Sequence, residues 1–174
     1  MQQDPDKDVI RETDAEAIRL AKTLLRSARF GALAVLEPRT GSPLASRVGV
    51  ATDIDGAPLI LVSMLSAHTP AMLADPRCSL LLGEPGKGDP LTHPRLTLIC
   101  QALLLERGSD AHARAERRYL NRNPKASLYA GLGDFSIFRL EPQRASLNGG
   151  FGKAYLLDRS DLVTVGPIVE ELAA

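Results

Sequence analysis

Three apolar runs joined by short turns constrain the fold of this chain more than any other feature. The runs cover residues 30–36, 44–52 and 58–63. A segment rich in Pro separates the first two, and an Asp-Gly turn signal separates the second from the third. Connections this short join neighbouring strands that run in opposite directions. The pattern therefore predicts an antiparallel meander.

Later runs extend the sheet and add helices. Further strands are predicted over residues 77–82, 95–106 and 134–147, with a shorter strand-like piece at 154–157. Helices are predicted near residues 13–29, 70–74, 109–121, 124–129 and 167–172. Thr13 and Glu16 form a capping-box pattern for the first helix, and Ser109 is placed to cap the third. The order of elements is typical of an α+β fold built on an antiparallel barrel.

Length and composition indicate one globular domain. We expect a mobile polar arm over residues 1–12 and a single domain over residues 13–174. The formal net charge is zero, so no overall field attracts nucleic acid or an anionic membrane. The polar N-terminus does not resemble a signal peptide, and a cytoplasmic location is expected. Cys78 and Cys100 lie in apolar runs and are expected to be buried, reduced thiols.

The segment 61–70 carries the strongest functional signal. It begins as an apolar strand and reaches a helix start, where Thr69 is predicted to cap and Pro70 to open the helix. The Ser63 hydroxyl and the His68 imidazole lie at the same junction. Free N–H groups and a partial positive charge at a helix start suit a phosphate. We interpret the segment as a phosphate-binding corner for a nucleotide-type cofactor. His68 taken alone is better explained as an ordinary helix-start residue, and only its neighbours Ser63, Ser66 and Thr69 make a ligand contact an equal alternative.

The strand over residues 46–52 offers a candidate surface for a flat ring. Alternation places Arg47, Gly49 and Ala51 on one face and directs Val48 towards the core. A ring fits over the two small residues while Arg47 pairs with an anion. An ordinary exposed strand face with a solvated arginine explains the same pattern.

Arg95 is a weaker candidate of the same kind. It starts a long strand and shares a face with Gln101, so either side chain is placed to reach a ligand. A strand with a polar, solvated rim is the alternative explanation.

The remaining motifs exclude several classes of chemistry. Segment 148–154 is rich in Gly, which lets a backbone approach a ligand or another subunit closely, but no long helix follows as a dinucleotide fingerprint requires. His68, His93 and His112 lack the spacing of a metal site. Because no nucleophile motif appears either, catalysis by this chain requires a cofactor.

Several short motifs occur along the chain in a characteristic order: Gly31-Ala32-Leu33-Ala34, Ser46-Arg47-Val48, Asp53-Ile54-Asp55-Gly56, Leu61-Val62-Ser63, His68-Thr69, Asp75-Pro76-Arg77-Cys78-Ser79-Leu80-Leu81 and Arg95-Leu96-Thr97-Leu98. Their order resembles that of the pyridoxamine 5′-phosphate oxidase-like, FMN-binding split-barrel family. Later motifs are similar to those of its haem-utilisation branch: Arg118-Tyr119-Leu120, Pro124, Asp134-Phe135 and Gly149-Gly150-Phe151-Gly152-Lys153-Ala154.

The resemblance implies an antiparallel split β-barrel of about six strands with peripheral helices. It implies a homodimer with FMN at the interface. The implied FMN contacts are Arg47, Val48, Gly49, Val62, Ser63, Leu65, His68, Thr69 and Arg95. The chain has no Trp and no His after His112, whereas pyridoxamine phosphate oxidases carry a C-terminal Trp and haem-degrading members a histidine near the C-terminus.

The main functional hypothesis is an FMN-dependent oxidoreductase with an unknown small-molecule substrate. Haem binding or degradation is the first alternative, supported by Asp134 and the segment 148–154. A flavin-binding protein without turnover is the second alternative, because flavoproteins often use no catalytic side chain.

Overall fold

The computed structural model describes residues 10–164, which form an α+β fold with one connected sheet. The strands are β1 (Ile10–Arg11), β2 (Phe30–Leu36), β3 (Pro43–Gly49), β4 (Ala51–Thr52), β5 (Pro58–Ser63), β6 (Arg77–Leu82), β7 (Arg95–Leu104), β8 (Phe135–Asn148) and β9 (Ala154–Asp158). The helices are α1 (Ala15–Ser27), α2 (His68–Ala74), α3 (Asp110–Arg122) and α4 (Arg159–Leu162), with 3-10 turns at Pro90–Thr92 and Pro124–Leu128.

The long strand β8 organises the sheet. Strand β7 pairs with it antiparallel, from Leu104 opposite Phe138 to Arg95 opposite Asn148. On the other edge of β8, β5 pairs with its first part and β9 with its last part. Because two strands share this edge, the sheet divides there, which is consistent with a split barrel. Strands β6, β2 and β3 continue the sheet beyond β7.

The number and direction of the strands differ from the prediction. Within residues 10–164 the sheet has nine strands rather than about six, and β1 pairs with β9 in parallel. The run predicted as one strand over 44–52 is divided into β3 and β4, because the Val50 N–H bonds to the Arg29 carbonyl at 2.8 Å. Strand β3 pairs with β2, whereas β4 pairs with β5. The predicted meander therefore bends at Val50, and its third strand pairs with β4 rather than β3.

The ends of the chain are described only in part. Of the arm predicted over residues 1–12, the structure describes residues 10–12, and Ile10–Arg11 form β1. The C-terminal helix predicted near residues 167–172 lies outside the described residues. No helix among residues 10–164 is long and apolar enough to cross a membrane.

Helix α1 is capped by Asp14 and not, as predicted, by Thr13. The Asp14 carboxylate accepts a hydrogen bond from the Ala17 N–H at 2.8 Å, whereas the Thr13 hydroxyl donates to the Leu156 carbonyl. The N-cap therefore lies one residue later than predicted and the predicted capping box does not form, because a carboxylate is a stronger acceptor for a helix N–H than a hydroxyl. The predicted cap of α3 is confirmed, since Ser109 Oγ accepts from the His112 N–H at 3.1 Å.

Two apolar clusters fill the interior. The larger lies between the sheet and α1 and includes Leu33, Leu98 and Phe138. The smaller packs α3, including Tyr119, and the turn Pro124–Leu128 against β4, β5 and β8. Helix α3 therefore lies on one face of the sheet near β3 and β4.

Candidate functional site

The predicted phosphate corner is a tightly hydrogen-bonded turn at the end of β5. The Ser63 hydroxyl donates to Asp134 Oδ2 at 2.9 Å and accepts from the Leu65 N–H at 3.1 Å. The Thr69 hydroxyl donates to the Ser63 carbonyl at 2.6 Å and is fully buried. Both hydroxyls therefore stabilise the turn, and Asp134 adds a negative charge beside it.

Helix α2 begins earlier than predicted. His68 is its first residue, and Ala67 at the N-cap position makes no side-chain hydrogen bond, so Thr69 is not the cap and Pro70 is not the first helical residue. The Thr69 N–H bonds to the Ser66 carbonyl at 3.0 Å, and Pro70 has no N–H. Few donors of this short helix are left for a phosphate.

His68 links the corner to the neighbouring strand. Its Nδ1 lies 2.9 Å from Ser46 Oγ on β3. Its Nε2 is buried and has no hydrogen-bond partner among the described residues. Burial lowers the pKa of His68, so the ring is neutral at pH 7. The structure thus brings the corner against β3, but the unpaired nitrogen of His68 is closed to solvent.

A 390 Å³ groove lies on the outer face of β2, β3 and β6. Its lining includes Phe30, Ala32, Ala45, Arg47, Leu81 and Pro85. Ala32 and Arg47 are opposite each other in the β2–β3 register, and the Arg47 guanidinium carbon lies 5.7 Å from the centroid of the Phe30 ring. The groove thus combines a floor of small and apolar side chains with one exposed cation, Arg47, and one exposed carboxylate, Glu84.

Gly49 and Ala51 do not form the open floor that strand alternation predicted. A Cβ placed on Gly49 lies 2.3 Å from the Tyr119 hydroxyl, so α3 covers this glycine. Ala51 is 2% exposed, because the chain turns at Val50 and directs β4 inwards. The open small residues are instead those of the groove. Burial raises the pKa of Tyr119 to about 12, so its hydroxyl stays protonated at neutral pH.

The other predicted contacts are divided between the core and the surface. Val48 and Val62 are buried in the larger apolar cluster, whereas Leu65 is 89% exposed at the corner. Arg95 Nη1 donates to the Leu91 carbonyl at 3.0 Å, which directs the guanidinium to the loop before β7. The Arg95 backbone lies behind the end of the groove, since a Cβ on the groove residue Gly83 is 2.9 Å from Arg95 Cα.

Sequence reasoning missed the groove residues of β2 and β6. Phe30, Ala32 and Leu81 lie in runs that were predicted as strands without any side chain assigned to a ligand. In β2 the small residues Ala32 and Ala34 alternate with the buried residues Leu33 and Val35, and this alternation is the signal that Ala32 lies on the outer face.

The remaining titratable groups show no metal site within residues 10–164. His93 Nε2 lies 2.9 Å from the Lys87 carbonyl, and His112 is buried on α3.

The prediction of buried, reduced thiols is confirmed: Cys78 and Cys100 are free and opposite each other on β6 and β7. Burial raises the pKa of Cys78 to about 12 and also raises that of Cys100, so both thiols are protonated and unreactive at neutral pH.

Comparison with known proteins gives relatives for this arrangement. In Arabidopsis thaliana, a protein described as "Non-canonical heme oxygenase HOZ, chloroplastic" is 35% identical over 156 residues, which are 85% of this chain and 46% of that protein. The structure of a heme binding protein from Mycobacterium smegmatis superposes with a TM-score of 0.78 at 31% identity, over 88% of this chain and 61% of the other. HutZ, the heme storage protein of Vibrio cholerae, has a TM-score of 0.64 at 20% identity, over 74% of this chain and 89% of the other, and this likeness concerns the fold alone.

This chain spans less than two thirds of the length of the first two relatives. The family profile described as "Pyridoxamine 5'-phosphate oxidase" matches residues 19–149, which run from α1 through the sheet to the end of β8. These residues contain the groove, the corner and the divided edge of the sheet. The chain therefore belongs to the pyridoxamine 5′-phosphate oxidase-like family.

Proposed function

We propose that this protein binds haem in the groove beside Arg47. The observation that carries the proposal is the combination of an apolar floor, formed by residues such as Ala45 and Leu81, with one exposed guanidinium. A porphyrin presents a wide apolar plane and two carboxylates, and a guanidinium binds a carboxylate through two parallel hydrogen bonds. The described functions of the Arabidopsis and Mycobacterium relatives, both above 30% identity, support haem as the planar ligand.

The groove suits the plane and the carboxylates of haem better than it suits the iron. None of the three histidines of the chain lines the groove, and His68 Nε2 is buried. When bound, haem supplies an iron centre for electron or oxygen chemistry. The chain contributes a floor of small side chains that excludes water, and Arg47 holds a carboxylate of the ring.

We also propose that a second copy of the chain covers the groove and forms a homodimer. Phe30 and Leu81 are large apolar residues on the open face, and they are 42% and 43% exposed. Exposed apolar surface of this kind is typical of interaction sites. Light scattering in the presence and absence of haem tests this expectation, and the mass of a single chain under both conditions contradicts it.

A haem titration tests the proposed ligand. Addition of haem to the protein is expected to shift the Soret band and to saturate. Arg47→Gln is expected to weaken binding about tenfold, because it removes charge-assisted hydrogen bonds. Arg39→Gln removes the same charge from an exposed position in the β2–β3 turn outside the groove, and it should leave the affinity unchanged.

The His68→Ala variant distinguishes haem binding in the groove from haem binding at the corner. Because His68 Nε2 is enclosed, the variant should keep the wild-type position of the Soret band. Absence of a Soret shift in the wild type, or equal losses in the Arg47 and Arg39 variants, overturns haem binding in this groove.

FMN is the second candidate ligand, and with it the activity of an oxidoreductase. It is favoured by the hydrogen bond between Ser46 and His68, which brings the corner against the strand of Arg47. The internal hydrogen bonds of Ser63 and Thr69 disfavour a phosphate at the corner.

Flavin fluorescence distinguishes the two ligands. Quenching of FMN fluorescence by the protein supports the second candidate, and unchanged fluorescence at micromolar concentrations removes it. If FMN binds, its reduction by NADPH in the presence of the protein separates an oxidoreductase from a flavin-binding protein without turnover.

A further inference from the structure

A second pocket lies where α1 and α3 end, and it shares no lining residue with the groove. Its volume is 380 Å³, and it is lined by Arg26, Thr52, Arg118, Asn121 and Arg122. Three arginines and two neutral hydrogen-bonding side chains form the lining, and none of these residues lines the groove. The pocket is therefore strongly basic and separate from the proposed haem site.

Within residues 10–164, no carboxylate forms a salt bridge with an arginine of this pocket. Among residues 10–164, the recorded salt bridges involve other arginines, such as Arg77 and Arg139, but none of the three in the pocket. Arg118 Nε donates to the Thr52 carbonyl at 2.7 Å, and Arg122 donates to the Ser27 and Ala28 carbonyls. These bonds hold two guanidiniums in place and leave their other N–H groups available.

Arg26 completes the pocket without making a recorded hydrogen bond in the described part of the chain. Its Nη2 packs beside Gly56, because a Cβ added to this glycine would lie 3.1 Å from that atom. A free guanidinium packed beside two anchored ones is an arrangement that an anion stabilises.

The charge at this position matches a dianion. Two helix C-termini meet here and contribute about −0.5 charge each, which explains in part why Arg26 and Arg122 lie in the last turns of α1 and α3. Three guanidiniums then leave a net charge of about +2. If the arginines served only to balance the helix ends, about one positive charge would suffice.

We propose that this pocket, formed by Arg26, Arg118 and Arg122, binds a phosphate-type dianion. The ligand is inorganic phosphate or the phosphomonoester of a small molecule, since both present the same tetrahedral oxyanion to a guanidinium. Asn121 and Thr52 offer neutral hydrogen-bonding groups at the edge. The site is independent of the groove and of the corner at the end of β5.

The experiment measures the melting temperature of the full chain in phosphate and in glycerol phosphate, each against chloride of equal ionic strength. A ligand that binds only the native state raises the melting temperature. We expect a rise in at least one of the two, and the stronger ligand identifies the source. Calorimetric titration of the same ligand then gives its affinity.

Matched variants locate the site. Arg26→Gln breaks no recorded hydrogen bond and should weaken phosphate binding about tenfold, whereas Arg26→Lys should keep most of it. Arg19→Gln removes an exposed charge from the same helix outside the pocket and should have no effect. Arg47→Gln should also have no effect, so the outcome is independent of haem binding.

Two results overturn the proposal. One is a melting temperature that phosphate and glycerol phosphate leave at its chloride value. The other is a stabilisation that is as large in the Arg26→Gln variant as in the wild type, or that is reduced in the Arg47→Gln variant, because either result places the anion elsewhere.

Discussion

At the scale of single residues, Gly49 shows how a small side chain serves packing rather than ligand binding. Strand alternation assigned it to an open ring-binding face, but the Tyr119 hydroxyl occupies the space where a Cβ would lie. The strand sequence contains no information about α3, which supplies Tyr119 from 70 residues further along the chain. The role of Gly49 therefore follows from tertiary packing.

Substitution of Gly49 tests this packing. Gly49→Ala should lower the free energy of unfolding by about 2 kcal/mol, because the added methyl group overlaps the Tyr119 hydroxyl. In a Tyr119→Phe background the same substitution should cost less, since the ring carbon lies at an ordinary 3.5 Å. Chemical denaturation measures both costs. Gly131→Ala, where nothing lies within 4 Å, is the control and should change stability by less than about 0.5 kcal/mol.

At the scale of secondary structure, the existence of elements was predicted better than their ends. Strands over 30–36, 58–63 and 77–82 are confirmed at both ends, because apolar runs bounded by Gly, Pro and Asp define them locally. The first residues of the helices were predicted less accurately, because several neighbouring residues can serve as the N-cap. The start of α2 depends on the Ser63 and Ser66 carbonyls, which are positioned by the preceding strand and turn.

The cap of α1 gives a prediction at this scale. Asp14→Ala should lower the free energy of unfolding by about 1 kcal/mol, because it removes the acceptor of the Ala17 N–H. Glu16→Gln should change it by less than about 0.5 kcal/mol, because Glu16 makes no recorded capping bond among the described residues. Equal losses in thermal or chemical denaturation would indicate that the capping box forms after all.

At the scale of the whole molecule, a buried ion-pair network joins distant parts of the chain. Arg139 on β8 contacts Asp53 at 2.8 Å and Asp55 at 2.6 Å in the β4–β5 turn, and it also contacts Glu141. Arg159 of α4 pairs with Glu141 at 2.9 Å. Burial opposes the ionisation of Asp55, but the hydrogen bonds from Arg139 and the Ala57 N–H, together with the charges of Arg139 and Arg159, outweigh it and hold the pKa of that carboxyl below its ordinary value. The same balance lowers the pKa of Glu141.

The network makes stability depend on pH in a defined direction. Both carboxyls have lower pKa values in the folded than in the unfolded chain, so the unfolded chain takes up protons first on acidification. Their stabilisation is complete above the ordinary values of 3.8 and 4.5 and should be lost as the pH falls below them. Urea titrations at a series of pH values measure this loss.

Removal of one partner tests the same network at neutral pH. Asp55→Asn should cost about 3 kcal/mol, because it leaves Arg139 partly unpaired in the interior, and should flatten the acid dependence. Glu84→Gln, at an exposed position outside the recorded ion pairs, is the control and should retain the wild-type pH profile.

The sequence by itself determined the fold class, most strands, the cap of α3 and the family. These follow from local periodicity, turn residues and the order of short motifs, all of which are readable along the chain. Tertiary structure decided the number of strands, the bend at Val50 and the position of the groove. Tertiary structure also occupied the hydroxyls of the segment 61–70. Asp134 and the Ser63 carbonyl accept the hydrogen bonds of the two hydroxyls that the sequence analysis assigned to a phosphate. The physical reason is that a polar side chain bonds to whatever partner folding brings nearest, and that partner comes from another part of the chain.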